Sequence, residues 1–79
     1  MKLLLNRDQI DSIESAGHPY MGELQYLLGY INDEFPDRML LKRWDDCWEI
    51  CWDGLQSKII KTELVDALVE FLIKNPRNN

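Results

Sequence analysis

Both cysteines of the chain fall in one run, Trp44-Asp45-Asp46-Cys47-Trp48-Glu49-Ile50-Cys51-Trp52-Asp53-Gly54-Leu55, together with all three tryptophans. A thiol attacks only as thiolate, which calls for a base or a positive neighbourhood. The nearest charges along the chain are Asp45, Asp46 and Glu49, which push the other way. As metal ligands the pair also falls short. Its C-x3-C spacing has no second pair, and His18 is the single imidazole, so the usual zinc sets are missing. Small, half-buried side chains beside Trp44 are the plainer expectation. On one strand the two thiols stand about 13 Å apart, beyond disulfide reach, and so few cysteines fit a reducing compartment.

His18 stands beside Pro19 at a turn and reads as a linker or helix-entry residue rather than a general base. There is no glycine-rich phosphate loop, no carboxylate pair is marked out by position, and a fold of 79 residues offers little room for a cleft that excludes water. The sequence therefore predicts no enzyme, no cofactor and no metal centre. Contact with another protein is the chemistry that remains. Trp44 with Asp45 and Asp46 has the composition of an interface anchor with charged steering around it. Asp33, Glu34, Asp37 and Asp53 are expected to form a second, acidic edge at the other end of the same sheet.

The elements that must position these residues can be read in order. Asn6 and Gln9 have the spacing of a capping box, with Leu5 and Ile10 at the hydrophobic-staple positions. A helix from Arg7 to about Ala16 follows, and Gly17 is its left-handed stop. Pro19 suits the first turn of a second helix, along which Tyr20, Leu24, Leu27, Leu28, Ile31 and Phe35 recur at helical spacing. Gly22, Tyr26, Gly29 and Tyr30 fall on its opposite side, where another element or another chain can approach closely.

From Asp37 two patterns compete. As a helix, residues 38–53 place Trp44, Trp48 and Cys51 on one stripe, which gives an all-α bundle. As strands, 39–44 and 47–52 alternate. Asp53-Gly54 between apolar runs is a hairpin signal, and the flanking Trp, Ile and Cys residues favour strands. Two-residue turns at Asp45-Asp46 and Asp53-Gly54 then give a meander. One face carries Met39, Leu41, Arg43, Trp48, Ile50, Trp52, Leu55, Ser57 and Ile59, and the other sets Glu49 between Lys42 and Lys58. Thr62 is expected to cap a last helix whose Leu64, Val65, Leu68, Val69, Phe71, Leu72 and Ile73 span a wider arc than a surface helix needs.

The expected fold is α+β: a single domain over residues 1–79, with two N-terminal helices, a three-stranded antiparallel meander and a C-terminal helix packed on the sheet. Fourteen acidic residues against nine basic give a net charge of −5, which opposes neutralisation of nucleic-acid phosphates and suits a basic protein partner. The opening Met1-Lys2-Leu3-Leu4-Leu5 is broken by Asn6-Arg7-Asp8 before a secretion signal develops, and no run approaches a membrane span, so the expected location is cytoplasmic. These features describe a small acidic protein-binding module: an inhibitor, an immunity-type protein or an adaptor. The alternatives are a structural homo-oligomer, self-associated through Leu64 to Ile73 or the Gly22/Gly29 face, and an inhibitor from a mobile element that imitates nucleic acid.

Overall fold

Asn6 starts the first helix by the exchange its spacing predicts. Its side-chain oxygen accepts the Gln9 backbone N–H at 2.8 Å, and the Gln9 side-chain oxygen accepts the Asn6 N–H at 3.0 Å. The structure, a computed structural model, describes residues 1–36 and 38–77. Helix α1 (Arg7–Ser15) buries Ile10 and Ile13. It ends in a paired closure: Gly17 N–H donates to Glu14 O at 3.0 Å and His18 N–H to Ile13 O at 3.1 Å, the Schellman arrangement that needs a left-handed residue after the cap. Gly17 supplies it with φ +90°. A Cβ at that position would also collide with the Arg77 carbonyl, because Arg77 N–H donates to Ala16 O at 2.8 Å and lays the C-terminal tail across the helix end.

Helix α2 (Leu24–Glu34) begins five residues later than Pro19 suggests. The intervening backbone is used otherwise. Leu5 N–H donates to Gly22 O at 3.0 Å, Leu24 N–H donates to Leu3 O at 2.8 Å, and Leu4 bridges Glu23, so Leu3 to Leu5 and Gly22 to Leu24 run antiparallel. Tyr20 is therefore outside the helix and exposed, and the buried stripe of α2 reduces to Leu24, Leu27 and Ile31.

Strands β1 (Met39–Arg43), β2 (Trp48–Trp52) and β3 (Ser57–Lys61) form an antiparallel sheet in the order β1-β2-β3, so residues 38–53 are not a helix. The first hairpin has the expected register, with Leu41 opposite Ile50 and Lys42 opposite Glu49. The second differs. Its loop is four residues, Asp53, Gly54, Leu55 and Gln56, closed by Gln56 N–H to Asp53 O at 3.2 Å. Asp53, Gly54 and Leu55 all take positive φ. Ile50 consequently faces Ile59 rather than Ser57, and Glu49 faces Ile60 rather than Lys58. A slip of two residues preserves which side chains share a face, so Ile50 and Ile59 are both buried against the helices. Leu55, carried out on the loop, is exposed, as are Leu41 and Arg43 on the edge strand.

Helix α3 (Leu64–Lys74) lies between the sheet and the other two helices, and α1 and α2 meet the rest of the elements through it. Its cap is Glu63, not Thr62. Glu63 has extended backbone and makes no side-chain capping bond. Its carboxylate instead accepts the Lys2 backbone N–H at 2.8 Å. Leu64, Val65, Ala67, Leu68, Val69, Phe71 and Leu72 are buried, and Phe71 meets Phe35 and Trp52 edge-on at centroid distances of 5.3 and 5.2 Å. The wide apolar arc is thus covered within the chain, and of its residues Ile73 stays exposed, at 43%. No described helix is long and apolar enough to cross a membrane.

Candidate protein-binding surface

The helices cover one face of the sheet and leave the other open. On the open face the strand alternation sets Leu40, Lys42, Glu49, Cys51, Lys58 and Ile60, with Leu40 and Ile60 both exposed. Glu49 is the exception, a carboxylate only 9% exposed. Trp44 explains it. The chain leaves β1 at Arg43, and Trp44 N–H donates to Cys47 O at 2.9 Å across a tight turn, which folds the indole back over the sheet. Its Nε1–H donates to Glu49 Oε1 at 2.7 Å. The other carboxylate oxygen accepts the Cys51 thiol at 3.3 Å and lies 3.3 Å from Lys58 Nζ. Lys58 reaches it diagonally, since Cys51 is its direct partner across the strands.

These contacts fix the electrostatics. The Trp44 indole, then the Cys51 thiol and the Lys58 ammonium, hold the Glu49 carboxyl below the usual carboxylate range against the opposing effect of burial. Burial and the neighbouring Glu49 push the Cys51 thiol up; burial and then the Asp46 charge do the same to Cys47. Both cysteines are free and are poor nucleophiles at neutral pH. Lys42 Nζ sits 3.9 Å from the Trp44 ring centroid, so the half-exposed indole is held between a cation and an anion. Trp44, Asp45 and Asp46 line one shallow concavity with Cys47, Glu49, Lys58 and Ile60. The sequence names the first three of these. It misses Glu49 and Ile60 as surface partners of Trp44, because its two-residue turn pairs Glu49 with Lys58 directly.

The second expected cluster is less coherent. Asp53 lines a different concavity at the other end of the meander, with Phe35, Arg38, Trp52, Gly54, Phe71 and Asn75. Asp33 and Glu34 lie in the last turn of α2, and Glu34 Oε1 is 3.6 Å from Arg77 Nη1. Arg38 and Arg77 thus stand among these carboxylates. Asp37 lies outside the described residues.

His18 lies in the connection between α1 and α2, as its neighbours suggest, but its side chain is turned inward. It is 4% exposed. Its Nε2 lies 2.9 Å from the Leu72 carbonyl and 3.1 Å from that of Asn75, and Nδ1 lies 2.7 Å from the Tyr30 hydroxyl. Carbonyls only accept, so Nε2 carries a proton, and in the neutral ring Nδ1 accepts from the Tyr30 hydroxyl. The ring closes the C-terminus of α3, where carbonyls lack intrahelical partners. Nothing in the local sequence signals this, since its partners lie 54 and 57 residues away. Among the described residues no group of three or more His, Cys, Asp and Glu side chains is placed to hold a metal ion.

Fold and surface together define an architectural class: an α+β domain whose three-stranded meander is backed by helices on one face and open on the other. The chain matches no protein-family model, no curated protein and no solved structure.

Proposed function

We propose that this protein is a small protein-binding module, of the inhibitor, immunity or adaptor kind, that contacts its partner through the open sheet face around Trp44. One observation carries the proposal. An indole, fixed by a hydrogen bond to Glu49 and stacked under Lys42, stands 46% exposed in a surface concavity beside two carboxylates, Asp45 and Asp46, that have no ion pair among the described residues. A fixed aromatic loses little side-chain freedom on binding, which is what interface anchors require. Free carboxylates beside it favour a partner that brings a cation to the turn.

The test is comparative capture from native cytosol, with the wild-type chain and the Trp44→Ala and Asp45→Asn/Asp46→Asn variants as baits. A stoichiometric partner held by wild type and lost by Trp44→Ala is the expected result. Equal capture by all three removes this face from the interface.

Self-association is the second reading. Leu3, Leu4 and Leu28 are exposed around one apolar groove beside Glu23 and Gln25, and burying it in a dimer would remove that surface from water. The covered arc of α3 no longer supports association there. Sedimentation at micromolar concentration separates the two readings, because a strict monomer eliminates the second. Imitation of nucleic acid has less support, since Asp11, Glu34, Glu49, Asp66 and Glu70 are each ion-paired within the chain.

A further inference from the structure

Strand β1 is an outer strand of the sheet, and among the described residues β2 is the one strand it pairs with. Leu40, Leu41, Lys42 and Arg43 are all exposed. The Trp44 N–H bond to Cys47 O sets the alternation of the hairpin: Trp44, Lys42 and Leu40 turn their backbone groups toward β2, while Arg43, Leu41 and Met39 turn theirs outward. The outward N–H and C=O groups form a short template for another strand.

The charge on this edge is opposite to that of the molecule. Residues 38–43 read Arg-Met-Leu-Leu-Lys-Arg, with no carboxylate, in a chain of net charge −5. Lys2, Arg7, Lys58, Lys61 and Arg77 each hold a carboxylate, whereas Lys42 and Arg43 hold none among the described residues. They stack instead on Trp44 and Trp48, at 3.9 and 5.0 Å from the ring centroids. The opposite edge, β3, has its lysines neutralised by Glu49 and Glu70. A second copy laid along β1 would set these cations against their own kind, which is how edge strands are guarded against self-pairing. An acidic strand meets no such repulsion.

We propose that the free edge of β1 binds an extended acidic segment of another protein by strand addition, independently of contact through the Trp44 face. The segment alternates. On the open face a carboxylate stands opposite Lys42, and on the helix side an apolar residue stands opposite Leu41.

The test uses two blocked synthetic peptides of about eight residues, one alternating glutamate and valine and the other lysine and valine, with backbone amides followed by NMR and hydrogen exchange. The glutamate peptide is expected to bind and to slow exchange at Leu41 and Arg43, leaving Leu40 and Lys42, already bonded to β2, unchanged. Its affinity should fall roughly tenfold between about 0.1 M and 1 M salt, as the screening length shrinks from about 10 to about 3 Å. Leu41→Pro removes one outward donor from an edge strand, where proline is tolerated, and should abolish binding with the circular dichroism spectrum retained. If that variant does not fold, Lys42→Gln should weaken the glutamate peptide by up to about fivefold, the loss expected from removing one exposed charge pair, and leave the lysine peptide no weaker. Three results overturn the proposal. Both peptides bind alike; neither binds, so that the cations serve only as a guard; or the Leu41 and Arg43 amides are already slow in a free protein that sediments as a dimer.

Discussion

Glu49 is a carboxylate on the open side of a sheet, yet it is withdrawn from water under an indole, a thiol and an ammonium group. Its folded pKa is depressed, so its stabilising effect is present above the unfolded value of about 4.3 and is lost as pH falls through the folded value. Asp66 behaves the same way: burial raises its pKa, but bonds from Lys2 and Gln9 and the charges of Lys2 and Lys61 outweigh that effect. Trp44→Phe keeps a ring and removes the donor to Glu49. We expect this variant to be less stable than wild type near neutrality, with the two converging as acid protonates Glu49 in both. Urea midpoints measured across pH check this. A deficit that does not change with pH would mean that the indole acts through packing alone. Because both thiol pKa values are raised, Cys47 and Cys51 should alkylate with iodoacetamide more slowly at neutral pH than a free cysteine. Faster reaction would contradict the surroundings described for them.

At the scale of elements, the closure of α1 makes the sharpest demand. Gly17→Ala must accept both a left-handed φ and a collision with the Arg77 carbonyl, and should cost more than about 1 kcal/mol. Asn6→Ala, which removes the cap, should cost about 1 kcal/mol. Chemical denaturation of the two variants ranks these effects, and a smaller loss for Gly17→Ala would show that the C-terminal tail yields. The cap and the left-handed glycine were legible because their hydrogen-bond partners are three to five residues away, whereas the Arg77 carbonyl beside Gly17 was not. The strands were legible too, from Asp53-Gly54 and the Trp, Ile and Cys residues around it. The length of their loop was not, because Asp-Gly marks where a chain reverses without fixing how many residues join it in positive φ. The late start of α2 was hidden for another reason. Pro19 permits a helix, but Leu3 to Leu5 pair with Gly22 to Leu24, and no local pattern announces an antiparallel partner so distant in the chain. The Trp44 concavity was half legible: the turn could be read, but the fold of the indole onto Glu49 could not.

The whole molecule is joined through α3. Leu68 is fully buried at its centre, and Leu68→Ala should cost about 2–5 kcal/mol, a large share of what a small domain possesses. With Trp52 packed on Phe71, near-ultraviolet dichroism reports the junction of sheet and helix while far-ultraviolet dichroism reports the backbone. The two thermal transitions should coincide. Separate transitions would show that the sheet survives without the helix, or the reverse.

The central position of α3 also has a meaning in time. A chain made from its N-terminus presents α1, α2 and the meander before the helix on which they pack. We expect the buried stripes of α1 and α2 to stay uncovered during synthesis until the residues around Leu68 and Phe71 are free to pack on them.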